Sequence, residues 1–443
     1  MPYLGRFGEA GLVKEDTLGT AKVPARFRRF IPPFNFSLDI AQLLGKGVQG
    51  VADEVLRTAQ GKAQLKGGKI KSELDLLEVG DDLMAAFGVD TVTEVASFIV
   101  VDSGAGQNNL LDMNIDGHTN IVVTIAAGTY KAGQTQADTG TLCALLYAGI
   151  HAAEPTQAYT VAFTRSATGG TFTITCTTAL GTLNLPFKTG ASNAKSIGNL
   201  LGYASGSSGT DLTGALFYTG TSVVAVYSHA FSRVQSAVLP SYTWWQYSGL
   251  DYPQFAGCMC SKLEFNAKVG EFVECDGDWI GLKYDATGVT HSPSYSALNP
   301  IKFSMCVPSI GGAPSANYDD VKITIDNQIA VEHAVTSSIY GTKIYSKGLK
   351  IAANLSLMVE DVTEWAKFVA GNDSALSLAM TSTDMIKGAI PYSLTLSIPA
   401  INYSAAPRQL PNGLIKIAFT AVGVYGGSYT MLPTLINGYG LSY

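Results

Sequence analysis

Two stretches of this chain, residues 69–88 and 350–371, follow one pattern. They read KIKSELDLLEVGDDLMAAFG and KIAANLSLMVEDVTEWAKFVAG. Each begins with the apolar and polar alternation of a strand, continues with an acidic pair and the apolar spacing of an amphipathic helix, and ends in Gly. Because a strand–helix unit that is written twice is expected to fold twice, the sequence predicts two copies of one domain.

The elements that flank the two units correspond in order. Residues 321–329 match the predicted strand 34–40, residues 390–392 open a strand as residues 239–242 do, and the strand pair in 402–419 matches that in 255–284. Four matching elements support a duplication. In the later helix we expect an acidic N-terminus and a buried apolar stripe, formed by Glu360, Asp361, Val362, Trp365, Phe368 and Val369.

Residues 255–284 predict a long β-hairpin with one buried face. Apolar and polar residues alternate from Cys258 to Ala267, a turn with Gly270 follows, and the alternation resumes over residues 273–276. A period of two with Gly at the turn is typical of such a hairpin. Neither strand carries a recognisable catalytic motif, so the hairpin is interpreted as architecture.

Residues 97–213 predict a separate α+β domain inserted into the first β-domain. Thr, Ser, Ala and Gly dominate there, and charge is sparse. We expect strands at 120–125, 159–165 and 171–177, a helix at 141–152 and a flexible linker at 205–209. After the insertion, strands are expected at 222–227 and 242–247.

Residues 1–30 predict an N-terminal arm. They are rich in Gly and poor in apolar residues, so they lack a core of their own, and their arginines are Arg6, Arg26, Arg28 and Arg29. Residues 45–68 are expected to reach away from the body as a long connection. The predicted chain is therefore mainly β, with an arm (1–30), a discontinuous first β-domain (31–96 and 214–299), the inserted domain (97–213) and a second β-domain (300–443).

Composition excludes several classes of function. Charged residues make up 14% of the 443 residues and the formal net charge is -6, which argues against a basic patch that neutralises nucleic-acid phosphates. Residues 1–30 lack the apolar core of an export signal, and we find no apolar run of the roughly 18 residues that span a membrane. The six cysteines are therefore expected to be reduced and buried.

Candidate metal and catalytic residues have simpler explanations. Cys258, Cys260 and Cys275, with His229, are conceivable metal ligands, but C-x-C on an alternating strand differs from the C-x2-C turn that chelates zinc. Asp276-Gly277-Asp278 is interpreted as a turn. The five histidines are far apart in sequence, and residues 112–116 (DMNID) lack the Gly and Glu of a calcium loop. We therefore expect no enzyme and no cofactor.

Three sets of residues resemble the tail tube (major tail) proteins of long-tailed bacteriophages. They are Thr17-Leu18-Gly19-Thr20-Ala21 with Pro24 and Phe30-Ile31-Pro32; Tyr227-Ser228-His229 with Leu239-Pro240-Ser241-Tyr242-Thr243; and the hairpin from Phe255-Ala256-Gly257-Cys258 to Gly277. The resemblance covers most of residues 17–96 and 222–443. It implies β-sandwich domains, each with one flanking helix, and rings of sixfold geometry stacked into a conduit for the genome.

With two tube domains per chain, the resemblance implies homotrimeric, pseudo-hexameric rings, and a homohexamer is the alternative. It also implies assembly in the host cytoplasm, a place in the virion tail, and as partners a tape measure protein, other tail proteins and double-stranded DNA that passes without sequence-specific binding. No membrane partner is expected. The arginines of the arm are expected to contact an adjacent ring, and the inserted domain to project from the tube exterior.

Polar strand faces are expected to line the channel. Their acidic residues are Glu73, Asp75, Glu264 and Glu274, moderated by Lys71, Lys262 and Lys268. Mild negative charge would repel phosphates and prevent sticking. The alternative is that these carboxylates lie on ordinary solvated strands. The competing functions are another virion structural protein, such as a capsid decoration or baseplate and tail hub component, or a surface adhesin, which should carry an export signal.

Overall fold

The computed structural model describes most of the chain. It covers residues 8–24, 26–34, 36–44, 58–95, 99–103, 108–115, 120–167, 169–177, 182–204, 209–215, 217–221, 223, 225–236, 238–247, 252–285, 293–315, 317–336, 338–358, 363–406 and 416–443. These residues form antiparallel sheets and three α-helices. The mainly β class predicted from the sequence is thereby confirmed.

The first part of the chain precedes and includes the first strand–helix unit. Its elements are β1 (Glu9–Lys14), β2 (Arg26–Arg28), β3 (Phe36–Leu44), β4 (Thr58–Gly67), β5 (Lys69–Glu73), α1 (Val79–Phe87) and β6 (Gly88–Glu94). α1 ends where predicted because Gly88 adopts the left-handed conformation (φ 91°), which residues with a Cβ rarely adopt. Residues 58–67, predicted as part of a projecting connection, instead pair with β3 in a hairpin, and residues 45–57 lie outside the described residues.

The next part builds its own sheets and core. Its elements are β7 (Ile99–Val101), β8 (Leu110–Ile115), β9 (Ile121–Thr124), β10 (Gly128–Tyr130), α2 (Leu142–Ala153), β11 (Tyr159–Ser166), β12 (Gly169–Cys176), β13 (Leu183–Leu185), β14 (Leu212–Ala215) and β15 (Phe217–Thr219), with 3-10 turns at Asn193–Lys195 and Ile197–Leu201. The predicted helix and its three strands are confirmed. Because β14 and β15 pair with β13 and β12, these sheets continue past residue 213, the predicted end. Of the predicted linker, residues 205–208 lie outside the described residues.

The chain then returns to the first β-region. β16 (Tyr227–Arg233), β17 (Tyr242–Tyr247), β18 (Gln254–Lys268), β19 (Glu274–Ile280) and β20 (Lys283–Asp285) follow. The strand predicted at 222–227 starts only at Tyr227. The predicted hairpin is confirmed, since β18 pairs antiparallel with β19 and its alternate residues Leu263 and Phe265 are fully buried.

The last part contains the second strand–helix unit. Its elements are a 3-10 turn (Phe303–Met305), β21 (Cys306–Ile310), β22 (Ala313–Pro314), β23 (Tyr318–Asp326), β24 (Ile329–Glu332), β25 (Lys343–Ser346), β26 (Lys350–Met358), α3 (Thr363–Ala370), β27 (Ser374–Lys387), β28 (Ile390–Ala405), β29 (Lys416–Val424) and β30 (Leu432–Asn437). α3 is less buried than predicted: Val369 is 69% exposed, and Trp365 and Phe368 are only partly buried. Residues 360–362 lie outside the described residues.

One sheet and one core join the two β-regions. β18 of the first region pairs along residues 262–268 with β23 of the second. The shared core includes Leu12, Phe265, Ile323 and Leu394. The two regions are therefore fused side by side, whereas the inserted part keeps a separate core that contains Leu146 of α2.

The described residues of the predicted N-terminal arm belong to this same fold. β1 pairs with β17 and with β2, and Ala10 and Leu12 are buried. The buried carboxylate of Glu15 accepts hydrogen bonds from the hydroxyls of Ser241 (2.7 Å) and Thr243 (2.8 Å). The prediction failed because the few apolar residues of this segment complete a core that is built by distant strands.

Candidate functional site

The central sheet carries a strongly charged face. Its strands run in the order β5, β19, β18, β23 and β26, and alternate side chains point away from the core. The outward charged residues are Lys69, Lys71, Glu73, Lys262, Glu264, Lys268, Glu274, Asp276, Asp278, Asp320, Lys322, Asp326 and Lys350. We call this set the charged sheet face. Its six lysines and seven carboxylates leave one net negative charge.

Ion pairs between neighbouring strands organise this face. The Lys71 ammonium lies 2.6 Å from a Glu274 carboxylate oxygen, which links β5 to β19. Lys322 Nζ lies 3.1 Å from Glu264 Oε2, which links β23 to β18, and Lys262 pairs with the other oxygen of Glu264. Lys69 and Lys268 are also ion-paired, so five of the six lysines lie beside carboxylates and do not form a run of separate cations.

The surroundings shift the pKa values of several groups on this face. Burial disfavours the charged form of Glu264, but hydrogen bonds from Lys262 and Lys322 outweigh it, so the pKa of Glu264 lies below its usual range. A hydrogen bond to Glu274 raises the pKa of Lys71. Burial raises the pKa of Asp276. The ion pairs of Glu264 and Lys71 thus favour their charged forms, whereas burial favours the neutral form of Asp276.

Three of the four carboxylates predicted for the channel lie on this face: Glu73, Glu264 and Glu274. Asp75 does not, because β5 ends at Glu73. The buried Asp75 side chain instead accepts a hydrogen bond from the Leu77 amide (2.8 Å) in the turn before α1. Sequence reasoning missed the contribution of β23, since only the register of β18 with β23 places Lys322 beside Glu264.

The arginines predicted for the arm bind mostly within the chain. Arg28 is buried and pairs with Asp82. Arg26 lies 2.8 Å from Asp81 Oδ2, and its guanidinium stacks on Tyr439 and Tyr443 at 4.4 Å and 4.6 Å from the ring centroids. Arg29 is exposed and donates to the Ser296 carbonyl (2.9 Å). Arg6 lies outside the described residues.

The other candidate ligands are satisfied inside the protein. Cys258, Cys260 and Cys275 are buried, and burial raises the pKa of each thiol. His229 bonds through Nδ1 to Asp90 (2.9 Å) and through Nε2 to the Tyr439 carbonyl (2.7 Å). Among the residues that the structure describes, no cluster of three or more His, Cys, Asp or Glu is arranged to hold a metal ion.

The helices of the described ranges include none that is long and apolar enough to cross a membrane. Comparison with known proteins gives one family. The family model described as phage tail tube protein matches residues 8–404, nearly the whole chain. No curated protein matches the chain.

Proposed function

Because this chain belongs to the phage tail tube protein family, we propose that it polymerises into stacked rings that form the hollow tail of a long-tailed phage and conduct double-stranded DNA into the host. Membership itself makes the protein a structural component of the virion tail, in a family that is generally not enzymatic. Self-assembly is the function that the fold supports best, and its further partners are the tape measure protein and other tail proteins.

Equivalent strand pairings support two tube domains per chain. β5 pairs with β19 in the first region, as β26 pairs with β29 in the second. The long strand β28 takes the places of both β16 and β18. Its earlier part pairs with β27 as β16 pairs with β6, and its end pairs with β29 as β18 pairs with β19. A hairpin precedes each strand–helix unit, β3–β4 in one and β24–β25 in the other. Two such domains fused side by side would close a pseudo-hexameric ring from three chains.

The charged sheet face is the observation that carries the conduit role. Attraction of DNA depends on cations that neutralise phosphates and release counterions. On this face five of the six lysines, Lys69, Lys71, Lys262, Lys268 and Lys322, lie in ion pairs with carboxylates. The net charge is slightly negative, so duplex DNA would find no continuous cationic track. A face of this kind would let DNA slide past without holding it. The inserted domain, with its separate core, would then lie on the outside of the tube.

Polymerisation is tested by negative-stain electron microscopy of the purified protein, with rotational averaging of end-on views. We expect hollow rings or tubes with threefold symmetry and six lobes. Rings of six chains would support the tube function but contradict the proposal of two tube domains per chain. Protein that stays monomeric even with the other tail proteins present would contradict the proposal and favour a decoration or hub role.

The position of the charged sheet face is tested by labelling assembled tubes. Glu73→Cys tubes would react with a small maleimide but not with a maleimide on a polymer too bulky for a channel that admits duplex DNA. The matched control is Lys195→Cys, an exposed position in the inserted part, which should react with both. Equal reaction of the bulky reagent at both positions would contradict the proposal that the charged sheet face lines the channel.

A further inference from the structure

Residues 438–443, which follow β30, lie where three parts of the molecule meet. We call them the 438–443 segment. The Gly440 amide donates to the Ser166 carbonyl of the inserted part (3.0 Å). The Tyr443 amide donates to the Asp90 carboxylate of β6, in the first β-region (3.1 Å). The 438–443 segment therefore connects the second β-region, from which it emerges, to the first β-region and to the inserted part.

A buried histidine binds this segment. His229 of β16 and Asp90 of β6 have side chains with no exposed surface. His229 Nδ1 lies 2.9 Å from Asp90 Oδ2, and His229 Nε2 lies 2.7 Å from the carbonyl oxygen of Tyr439. Both nitrogens of the ring thus face an oxygen that accepts hydrogen bonds, one from the first β-region and one from the 438–443 segment.

Two acceptors on one imidazole call for two protons on its ring. A neutral imidazole has one N–H group and one nitrogen with a lone pair. With its only proton on Nε2, the lone pair of Nδ1 would face the Asp90 oxygen; with its only proton on Nδ1, the lone pair of Nε2 would face the Tyr439 carbonyl. Either arrangement places two buried acceptor atoms against each other, which is unfavourable. The geometry therefore fits an imidazolium that donates twice, with the Asp90 carboxylate as its counter-charge.

Three further elements bring charged or titratable groups to this pair. Lys14 of β1 donates to the main-chain oxygen of Tyr443 (2.9 Å), and Arg26 of β2 stacks on Tyr439 and Tyr443. Asp81 of α1 pairs with Arg26. Burial raises the pKa of Tyr443, so its phenol stays neutral, and burial lowers the pKa of Lys14. Lys14 is therefore a second group beside the segment whose charge can change as pH rises.

We propose that the 438–443 segment is a latch, which is closed when the His229 ring carries two protons and opens when one of them is lost. In the closed state the imidazolium bridges the Asp90 carboxylate and the Tyr439 carbonyl. Loss of a proton leaves one of these contacts without its hydrogen, so low pH favours the closed latch and rising pH favours the open one. The open segment separates from β6 and from the inserted part. This device belongs to the single chain and does not depend on tube formation.

Hydrogen exchange of the unaltered monomer tests the latch. Protection is the exchange rate of an unstructured peptide of the same sequence divided by the rate in the protein, which removes the intrinsic effect of pH. For the amides of Tyr439, Gly440 and Tyr443 we expect protection to fall by about tenfold or more between pH 5 and pH 9, while β26 and β29 change less than about twofold. Equal protection of the segment at both pH values, or a fall that β26 and β29 share, would overturn the latch.

The variant Asp90→Asn separates the contribution of this pair from that of Lys14. An amide supplies no charge to stabilise the imidazolium, so the segment should be as little protected at pH 5 as it is in the unaltered protein at pH 9. The control is His333→Gln, at a partly buried histidine that bonds to the Ala63 carbonyl (3.0 Å); this variant should keep the tenfold fall. An Asp90→Asn protein that keeps the fall would assign it to Lys14 and overturn the proposal.

Nuclear magnetic resonance of the labelled ring nitrogens of histidine tests the protonation state itself. The signals of His229 are identified among those of the five histidines by their loss in His229→Gln. We expect both ring nitrogens of His229 to carry protons at pH 5, and one proton to be lost over the pH range in which protection of the segment falls. A neutral ring at pH 5, or a loss of the proton that leaves protection unchanged, would overturn the proposal.

Discussion

The two strand–helix units have the same pattern but different surroundings. Every residue of α1 is buried, and a Cβ on Gly80 would lie 2.2 Å from the ring of Tyr443. α3 lies at the surface, with Val369 69% exposed. The strands differ too, since Lys71 and Glu73 of β5 correspond to Ala352 and Asn354 of β26.

The difference shows that a local sequence pattern determines whether a helix forms, whereas residues distant in sequence determine how deeply that helix is buried. α1 is enclosed because β2 supplies Arg26 and Arg28, and the segment after β30 supplies Tyr443. Within the described residues, α3 has its main contacts with β28. The first helix is thus enclosed by distant parts of the chain, whereas the second lies nearer the surface.

The largest expected effect comes from breaking the ion pair beneath α1. Asp82→Asn would leave the buried Arg28 charge without its partner, which typically costs about 3–5 kcal/mol of the free energy of unfolding. Urea denaturation of the monomer measures this loss. The control is Asp16→Asn, which removes an exposed ion pair with Lys22 and should cost about 0–1 kcal/mol. Equal effects of the two changes would refute the special burial of the first unit.

A smaller effect, of unusual sign, is expected at Gly80. Ala normally stabilises a helix relative to Gly. Here the added methyl would overlap the Tyr443 ring, so we expect Gly80→Ala to lower the free energy of unfolding by about 1–3 kcal/mol. At the exposed Ala366 of α3, the reverse change Ala366→Gly should itself cost about 1 kcal/mol. A stabilising Gly80→Ala would show that Tyr443 does not pack on α1.

The dependence of stability on pH should also differ between the two strand–helix units. Burial raises the pKa of Glu78 to about 7, and Val359 stands at the corresponding place in the second unit. Because the folded state holds this proton to higher pH than the unfolded state, stability from this group is full below about pH 4.5 and is lost as pH rises through 7.

The Glu78→Gln variant should lack that loss. The thermal midpoint of each protein is measured at pH 5 and at pH 8. The midpoint of the variant should fall less between these pH values than that of the unaltered protein, and the difference should correspond to about 1–2 kcal/mol of the free energy of unfolding. Other titrating groups contribute equally to both proteins. Parallel pH profiles for the two proteins would contradict the burial of Glu78.

The smallest effect is expected from making the strands alike. Lys71→Ala with Glu73→Asn gives β5 the residues that β26 has at these positions. Because the Lys71 ion pair is partly exposed, we expect a loss of about 0.5–1 kcal/mol and unchanged tube formation. Tubes that fail to assemble would show that charge on this face, and not strand pairing, directs polymerisation.

The sequence predicted most of the local structure. Alternation gave the β18–β19 hairpin, helical spacing gave α1 and α2, and a terminal Gly gave the end of α1. It did not predict that residues 9–28 complete the core, because Ala10 and Leu12 are buried beside β17, a strand more than two hundred residues away. The charged sheet face was found only in part, since Glu73, Glu264 and Glu274 follow from alternation but the neighbour β23 follows from tertiary pairing alone.

The central claim is that one chain supplies two tube domains to a ring. A cryo-electron microscopy reconstruction of assembled tubes, refined without imposed symmetry within a ring, tests it directly. The account predicts three chains per ring, six similar lobes and density that joins lobes alternately within and between chains. Six separate chains per ring, each with only one of its two β-regions in the wall, would contradict it.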